Sequence, residues 1–166
     1  MMKQAVIDFI EKEVWPHKER FEKKDYKFTE ACMKKAGELG LLGISVPEEY
    51  GGMGMPFNTS VLICDKISGA NGSFSTAFGA HTGIGTLPIL LYGDKKQKEK
   101  YLPKLATGEW MGCYCLTEPE AGSDANSGKT KAVPTKDEKH YLITGQKMWI
   151  SNAGFADVLI VFARIE

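Results

Sequence analysis

Up to about residue 106 the apolar positions recur at three- and four-residue intervals, and from Met111 onward they recur at two. Val6, Phe9, Ile10 and Val14 predict a first helix, which Pro16 ends. Cys32, Met33, Ala36 and Leu39 predict a second, with Thr29 as its N-cap and Gly40 at its terminating position. The Pro/Gly-rich run from Gly43 to Gly54 reads as a surface loop between helices. Asn58 or Thr59 then opens a helix carrying Val61, Leu62, Ile63 and Ile67. Ser73 to Leu91 is more apolar, with Phe74, Ala77, Phe78, His81, Ile84 and Leu87 interspersed with Gly79, Gly83 and Gly85. A glycine inside a helix costs about 1 kcal/mol relative to alanine, so close packing on a neighbour or a ligand is expected there. Asp94 caps a lysine-rich helix that ends near Gly108, with the lysines facing solvent.

Met111 to Thr117 sets Cys113 and Cys115 against Tyr114 and Leu116, the alternation of a strand. Thr130 to Val133, Tyr141 to Thr144 and Asp157 to Arg164 predict further strands, with Asp137-Glu138-Lys139 as a hairpin tip. Val158 to Ala163 is apolar at every position, which predicts a strand covered on both faces. About four strands do not close a barrel. The expected class is therefore α+β: an all-α helical domain over 1–110, then the first strands of an antiparallel β-barrel-like domain over 111–166. A front portion of a longer protein would carry such an incomplete second domain.

Composition narrows the function. Twenty-one basic and 21 acidic side chains among 166 residues leave no net charge, which argues against nucleic acid as the main partner. Charges interrupt the first residues and no apolar run approaches the roughly 18 residues of a spanning helix. These features predict a soluble cytoplasmic protein with no signal peptide and no membrane span. Cys32, Cys64, Cys113 and Cys115 are expected to be reduced and mostly buried. His17, His81 and His140 have no companion at ligand spacing, so no metal site is expected.

Two segments carry candidate chemistry. From Tyr114 to Ala125 a strand end runs into a Pro/Gly turn that presents backbone N–H groups and the hydroxyls of Thr117 and Ser123, suited to a planar ligand with several acceptors. Neither familiar phosphate-binding glycine pattern occurs. From Gly145 to Ala153, Trp149 offers a flat apolar face beside Ser151 and Asn152, which an aromatic cofactor ring needs. Each segment alone also fits an ordinary turn or a core tryptophan.

In one order along the chain stand Gly40-Leu41-Leu42-Gly43, Val46-Pro47-Glu48-Glu49-Tyr50-Gly51-Gly52, and Gln97 to Leu105. Leu116-Thr117-Glu118-Pro119 with Ala121-Gly122-Ser123-Asp124-Ala125 follows, and then Gly145 to Asn152. With these five motifs the whole chain resembles the acyl-CoA dehydrogenases, and Gly79-Ala80-His81-Thr82-Gly83-Ile84-Gly85 is similar to the long- and very-long-chain branch.

The resemblance implies an FAD enzyme of fatty acid β-oxidation that converts acyl-CoA to trans-2-enoyl-CoA and passes electrons to electron-transfer flavoprotein, usually as a homotetramer. It implies that Tyr114, Leu116, Thr117, Gly122, Ser123, Trp149, Ile150 and Ser151 line the FAD, Thr117 at the pyrimidine end and Trp149 on the face away from substrate. Ser151 would aim its hydroxyl at N5, and Ser123 would also contact the CoA side of the substrate. The helices over 58–68 and 73–91 would wall the acyl pocket. The family's catalytic glutamate lies in a C-terminal domain, so no catalytic residue is assigned here and the chain alone is expected to be inactive and to hold FAD weakly. Two other readings fit the same residues: a naturally short, non-catalytic helical binding or assembly module, and part of an acyl-CoA oxidase.

Overall fold

Val6, Phe9, Ile10 and Val14 all turn inward, as their spacing requires, but the helical run continues past Pro16. In the computed structural model, which describes residues 2–166, α1 (Met2–Phe9) passes into a π turn (Ile10–Val14), a 3-10 turn (Trp15–His17) and α2 (Lys18–Glu22). Pro16 sits in the first turn of the 3-10 segment, where a missing N–H breaks no bond. The next helix, α3 (Tyr26–Glu38), is capped by Asp25 instead of Thr29. The Asp25 carboxylate accepts the Phe28 N–H at 3.0 Å, while Thr29 is buried and donates its hydroxyl to the Asp25 carbonyl. Cys32, Met33 and Ala36 are buried, Leu39 is exposed, and Gly40 leaves the helix at φ +74.

The expected surface loop after Gly43 is anchored from inside by Leu41, Leu42, Ile44 and Val46. It folds back on itself, with Met53 N–H donating to Gly43 O and Gly54 N–H to Val46 O, so its backbone needs little from water. The following helix, α4 (Phe57–Ser68), starts after Pro56 without a side-chain cap, so neither Asn58 nor Thr59 serves as one. It buries Ile63 and Ile67 and exposes Val61 and Leu62. Next come α5 (Gly72–Gly79), capped by Asn71, a π turn (Ala80–Gly85) and α6 (Leu87–Tyr92). The last helix, α7 (Lys95–Thr107), carries the Asp94–Gln97 capping box and ends at Gly108. Phe74 is the centre of the main core, its ring 5.8 Å from Phe9, 5.5 Å from Phe21 and 6.4 Å from Phe78.

The strands are β1 (Gly112–Cys115), β2 (Lys131–Pro134), β3 (Tyr141–Thr144), β4 (Val158–Val161) and β5 (Arg164–Ile165). A hairpin through Glu138 joins β2 to β3 antiparallel, whereas β1 pairs with β4 and β2 with β5 in parallel. The fold is thus a helical part followed by a few strands with no closed barrel among the described residues. The double cover expected for β4 is not observed. Val158 is buried on Leu102 and Leu105, but Leu159 and Phe162 are exposed, because the helices cover only one face.

One junction sets β1 against the helices. Gly85 and Gly112 touch backbone to backbone, and a Cβ on Gly85 would lie 2.9 Å from the Gly112 carbonyl carbon. This is the packing partner that the glycine-rich stretch called for; Gly79 and Gly83 instead have open space at the Cβ position. Fully buried His81 spans the junction, its Nδ1 accepting the Gly112 N–H at 3.0 Å. Its Nε2, 2.9 Å from Leu105 O, therefore carries the proton. Burial pushes the imidazole down to about 4, so the ring is neutral. Unfolded histidine binds its proton near pH 6.5, so between pH 6.5 and 4 the unfolded chain holds more protons. Over that window the folding equilibrium should weaken about tenfold per pH unit as pH falls, through this group. Urea unfolding between pH 7 and 4 should show the excess slope in the unsubstituted protein and lack it in His81→Gln.

Candidate functional site

Cys113 and Cys115 are buried on one face of β1, their sulfurs 3.8 Å apart as free thiols. Burial and the neighbouring Cys115 push the Cys113 thiol up to about 12. Cys32 is buried as expected, and Cys64 is exposed. Tyr114, on the opposite face of β1, rests its ring 4.9 Å from that of Phe162. Beyond Thr117 the chain reverses over Pro119-Glu120: Glu118 N–H donates to Ala121 O at 3.0 Å and Ala121 N–H returns to Glu118 O at 3.1 Å. Ala121 is buried, while Gly122, Ser123, Asp124 and Ala125 form the exposed outer limb.

The segment from Gly145 to Asn152 crosses directly beside this strand end. Met148 N–H donates to Thr117 O at 3.0 Å. Lys147 Nζ donates to Leu116 O at 3.0 Å and to Glu118 Oε1 at 2.7 Å. Glu118 also accepts the N–H groups of Lys129 at 2.5 Å and Thr130 at 3.1 Å. The Lys147 ammonium and the Lys129 N–H hold its carboxyl down to about 2. Behind the turn lies a cavity of about 170 Å³ lined by Leu116, Glu118, Thr130, Lys147 and Arg164. The buried Thr130 hydroxyl has no partner among the described residues.

Trp149 follows with φ +59 and is 83% exposed. Asn152, at φ +69, is buried, and its Nδ2 donates to Ala77 O at 2.9 Å and Gly112 O at 3.2 Å. The segment is thereby pinned to β1 on one side and to α5 on the other. An indole left almost bare, on a segment whose backbone bonds the half-buried Thr117, presents an open apolar plate near a polar strand end, which a flat heteroaromatic ring would cover. The residues therefore fit such a ring.

Leu116 and Thr117 are thus brought to Lys147 and Met148, the residues that lead into Trp149, and half-buried Ile150 follows it in sequence. Tyr114 is lower on β1, and Gly122 and Ser123 are on the outer limb of the turn. Ser151 is exposed and lines a depression of about 350 Å³ with Tyr26, Thr76 and Asn152 on the α5 side. Sequence reasoning missed Lys147 and the anchoring role of Asn152. The available signal was a glutamate inside an otherwise uncharged run, Tyr114 to Pro119, which needs a cation if buried. Among the described residues no group of three or more His, Cys, Asp or Glu could hold a metal ion, and no helix is long and apolar enough to cross a membrane.

The family model "Acyl-CoA dehydrogenase, N-terminal domain" matches residues 1–109, and "Acyl-CoA dehydrogenase, middle domain" matches residues 113–166. A probable acyl-CoA dehydrogenase of Bacillus subtilis is 50% identical over the whole chain, which spans 28% of that relative. The human mitochondrial very long-chain specific acyl-CoA dehydrogenase is 50% identical over 128 residues, 76% of this chain and 19% of its own. The crystal structure of an acyl-CoA dehydrogenase complexed with FAD from Bacillus anthracis superposes with a TM-score of 0.96 at 50% identity, over 99% of this chain and 28% of that one.

Asn152→Gly tests the pinning without adding strain, because glycine accepts the left-handed backbone. Loss of both amide bonds takes one donor from Gly112 O and one from Ala77 O, which keeps the Ala80 N–H, and should lower stability by about 1–3 kcal/mol. Urea unfolding should read that loss, and hydrogen exchange should show the Met148 amide opening faster.

Proposed function

The chain belongs to the acyl-CoA dehydrogenase family, and we propose that it is the N-terminal and early middle portion of an FAD-dependent enzyme that oxidises acyl-CoA to trans-2-enoyl-CoA. In this reading residues 1–110 are the helical domain and 111–166 the beginning of the middle β domain. The observation that carries it is the Met148–Thr117 hydrogen bond, which holds the strand end after Leu116 against the backbone of the segment that carries Trp149. FAD, when bound, supplies the acceptor for the two electrons taken from the acyl chain.

The chain's own residues bind and orient. Thr117 would donate its hydroxyl to the pyrimidine end of the ring, where a fixed donor favours the charge of the reduced form. Trp149 and Ile150 would cover the ring face away from substrate. Tyr114, Leu116 and Gly122 would line its edge, Ser123 would meet the CoA side of the substrate, and Ser151 would present its hydroxyl to N5. Glu118 takes no part as a base, because Lys147 and the Lys129 and Thr130 N–H groups occupy its oxygens and leave the carboxylate only weakly basic. Glu120 and Glu138, exposed on turns, are not proposed for that role either. The base would come from the family's C-terminal domain.

The helical part would wall the acyl pocket. Open space at the Cβ positions of Gly79 and Gly83 leaves room for a long chain, in keeping with the likeness to the very long-chain enzyme. Electrons would pass to electron-transfer flavoprotein, and the complete enzyme would be a homotetramer. The complete gene product should show flavin absorbance that bleaches on adding long-chain acyl-CoA and returns with electron-transfer flavoprotein. A colourless protein, or one whose flavin ignores acyl-CoA, would overturn the reading.

A further inference from the structure

We propose that Glu118 and Lys147 are positioning residues for the bound flavin: their buried pair sets the distance between the Leu116–Thr117 edge and the Trp149 plate. The inference rests on the reading that this cleft takes FAD. With the residue 83% exposed, Trp149 is not held in place by packing of its own ring. Its position is inherited from the backbone on either side, Asn152 after it and Lys147-Met148 before it. Met148 N–H reaches Thr117 O only while the two segments lie side by side.

Lys147 joins those segments. One ammonium, on a side chain 13% exposed, bonds the Leu116 carbonyl and the Glu118 carboxylate together. That carboxylate, on a side chain 6% exposed, also gathers the Lys129 and Thr130 N–H groups at the far end of the 119–128 turn. Three stretches of chain therefore meet at one charge pair: the strand end, the return of the turn and the tryptophan segment. A buried ion pair adds little net stability compared with apolar side chains of similar size. What it supplies here is a fixed spacing, since Lys147 also bonds the Leu116 carbonyl while Glu118 also bonds the Lys129 and Thr130 N–H groups.

The test uses Lys147→Met, Lys147→Arg and Glu118→Gln in the complete gene product, with thermal midpoints followed separately. FAD affinity by equilibrium dialysis below the midpoint is the first readout. Fluorescence anisotropy of Trp149, in a background where every other tryptophan of the complete gene product, Trp15 and Trp110 included, is replaced by Phe, and without flavin, is the second. Lys147→Met and Glu118→Gln should each raise the FAD dissociation constant about tenfold, the equivalent of one strained or lost buried bond. They should also lower the Trp149 anisotropy, and Lys147→Arg, which keeps the charge and the donors, should recover most of both. A pair that only supports folding would lower the midpoint and leave both readouts of the folded protein unchanged. FAD dissociation constants within about twofold of the unsubstituted protein, with unchanged anisotropy, would overturn the inference. If Lys147→Met does not fold, Glu118→Gln, which preserves shape, decides the matter by the same criteria. An unsubstituted protein that holds no FAD would instead overturn the functional reading, and the inference about flavin with it.

Discussion

Gly85 and Gly112 allow two backbones to meet with no side chain between them, and His81 closes that meeting by bonding Leu105 on one side and Gly112 on the other. The direction in which β1 leaves the helices follows from this contact. Any Cβ at Gly85 would push the strand away, and any charge on the ring would place a donor against a donor. Because β1 is fixed, β4 is aligned beside it from Gly112–Val158 to Cys115–Val161, and Asp157 caps the arrangement by accepting the Met111 N–H at 2.8 Å. Everything that lies beyond Cys115, the turn and the tryptophan segment included, is aimed by that start.

The candidate cleft is assembled in a different way from the core. Phe74 and its neighbours are held by contact area, whereas Trp149 is held by hydrogen bonds to the chain around it. Asn152 and Lys147 reach backbone carbonyls on separate elements, and both Trp149 and Asn152 accept left-handed backbone as the geometric cost. A surface built in this fashion keeps its apolar plate free, which packing of the indole into the interior would not allow.

Much of this was legible from local chemistry. The change of period near residue 110, the Asp94 cap, the left-handed ends at Gly40 and Gly108 and the Glu138 hairpin each depend on a few neighbouring residues. Proline in the first turn of a 3-10 segment looks the same in sequence as a helix stop, so the continuation through α2 was not visible. Asp25 displaced Thr29 as cap because it lies one residue before α3 and takes the Phe28 N–H, a choice that spacing of apolar positions does not address. Lys147 and Glu118 are 29 residues apart, and Gly112 and Val158 further still. Such pairings depend on where the chain has already been placed, so no window of sequence contains them.

The three outward-facing apolar residues of β3, Tyr141, Leu142 and Ile143, own no interior of their own. The strand region joins the helical cores through Met111 and Val158, which pack among helix residues. Loss of order in the helices would leave the strands without a scaffold, so the two regions should melt as one cooperative unit although their sequences look like separate modules.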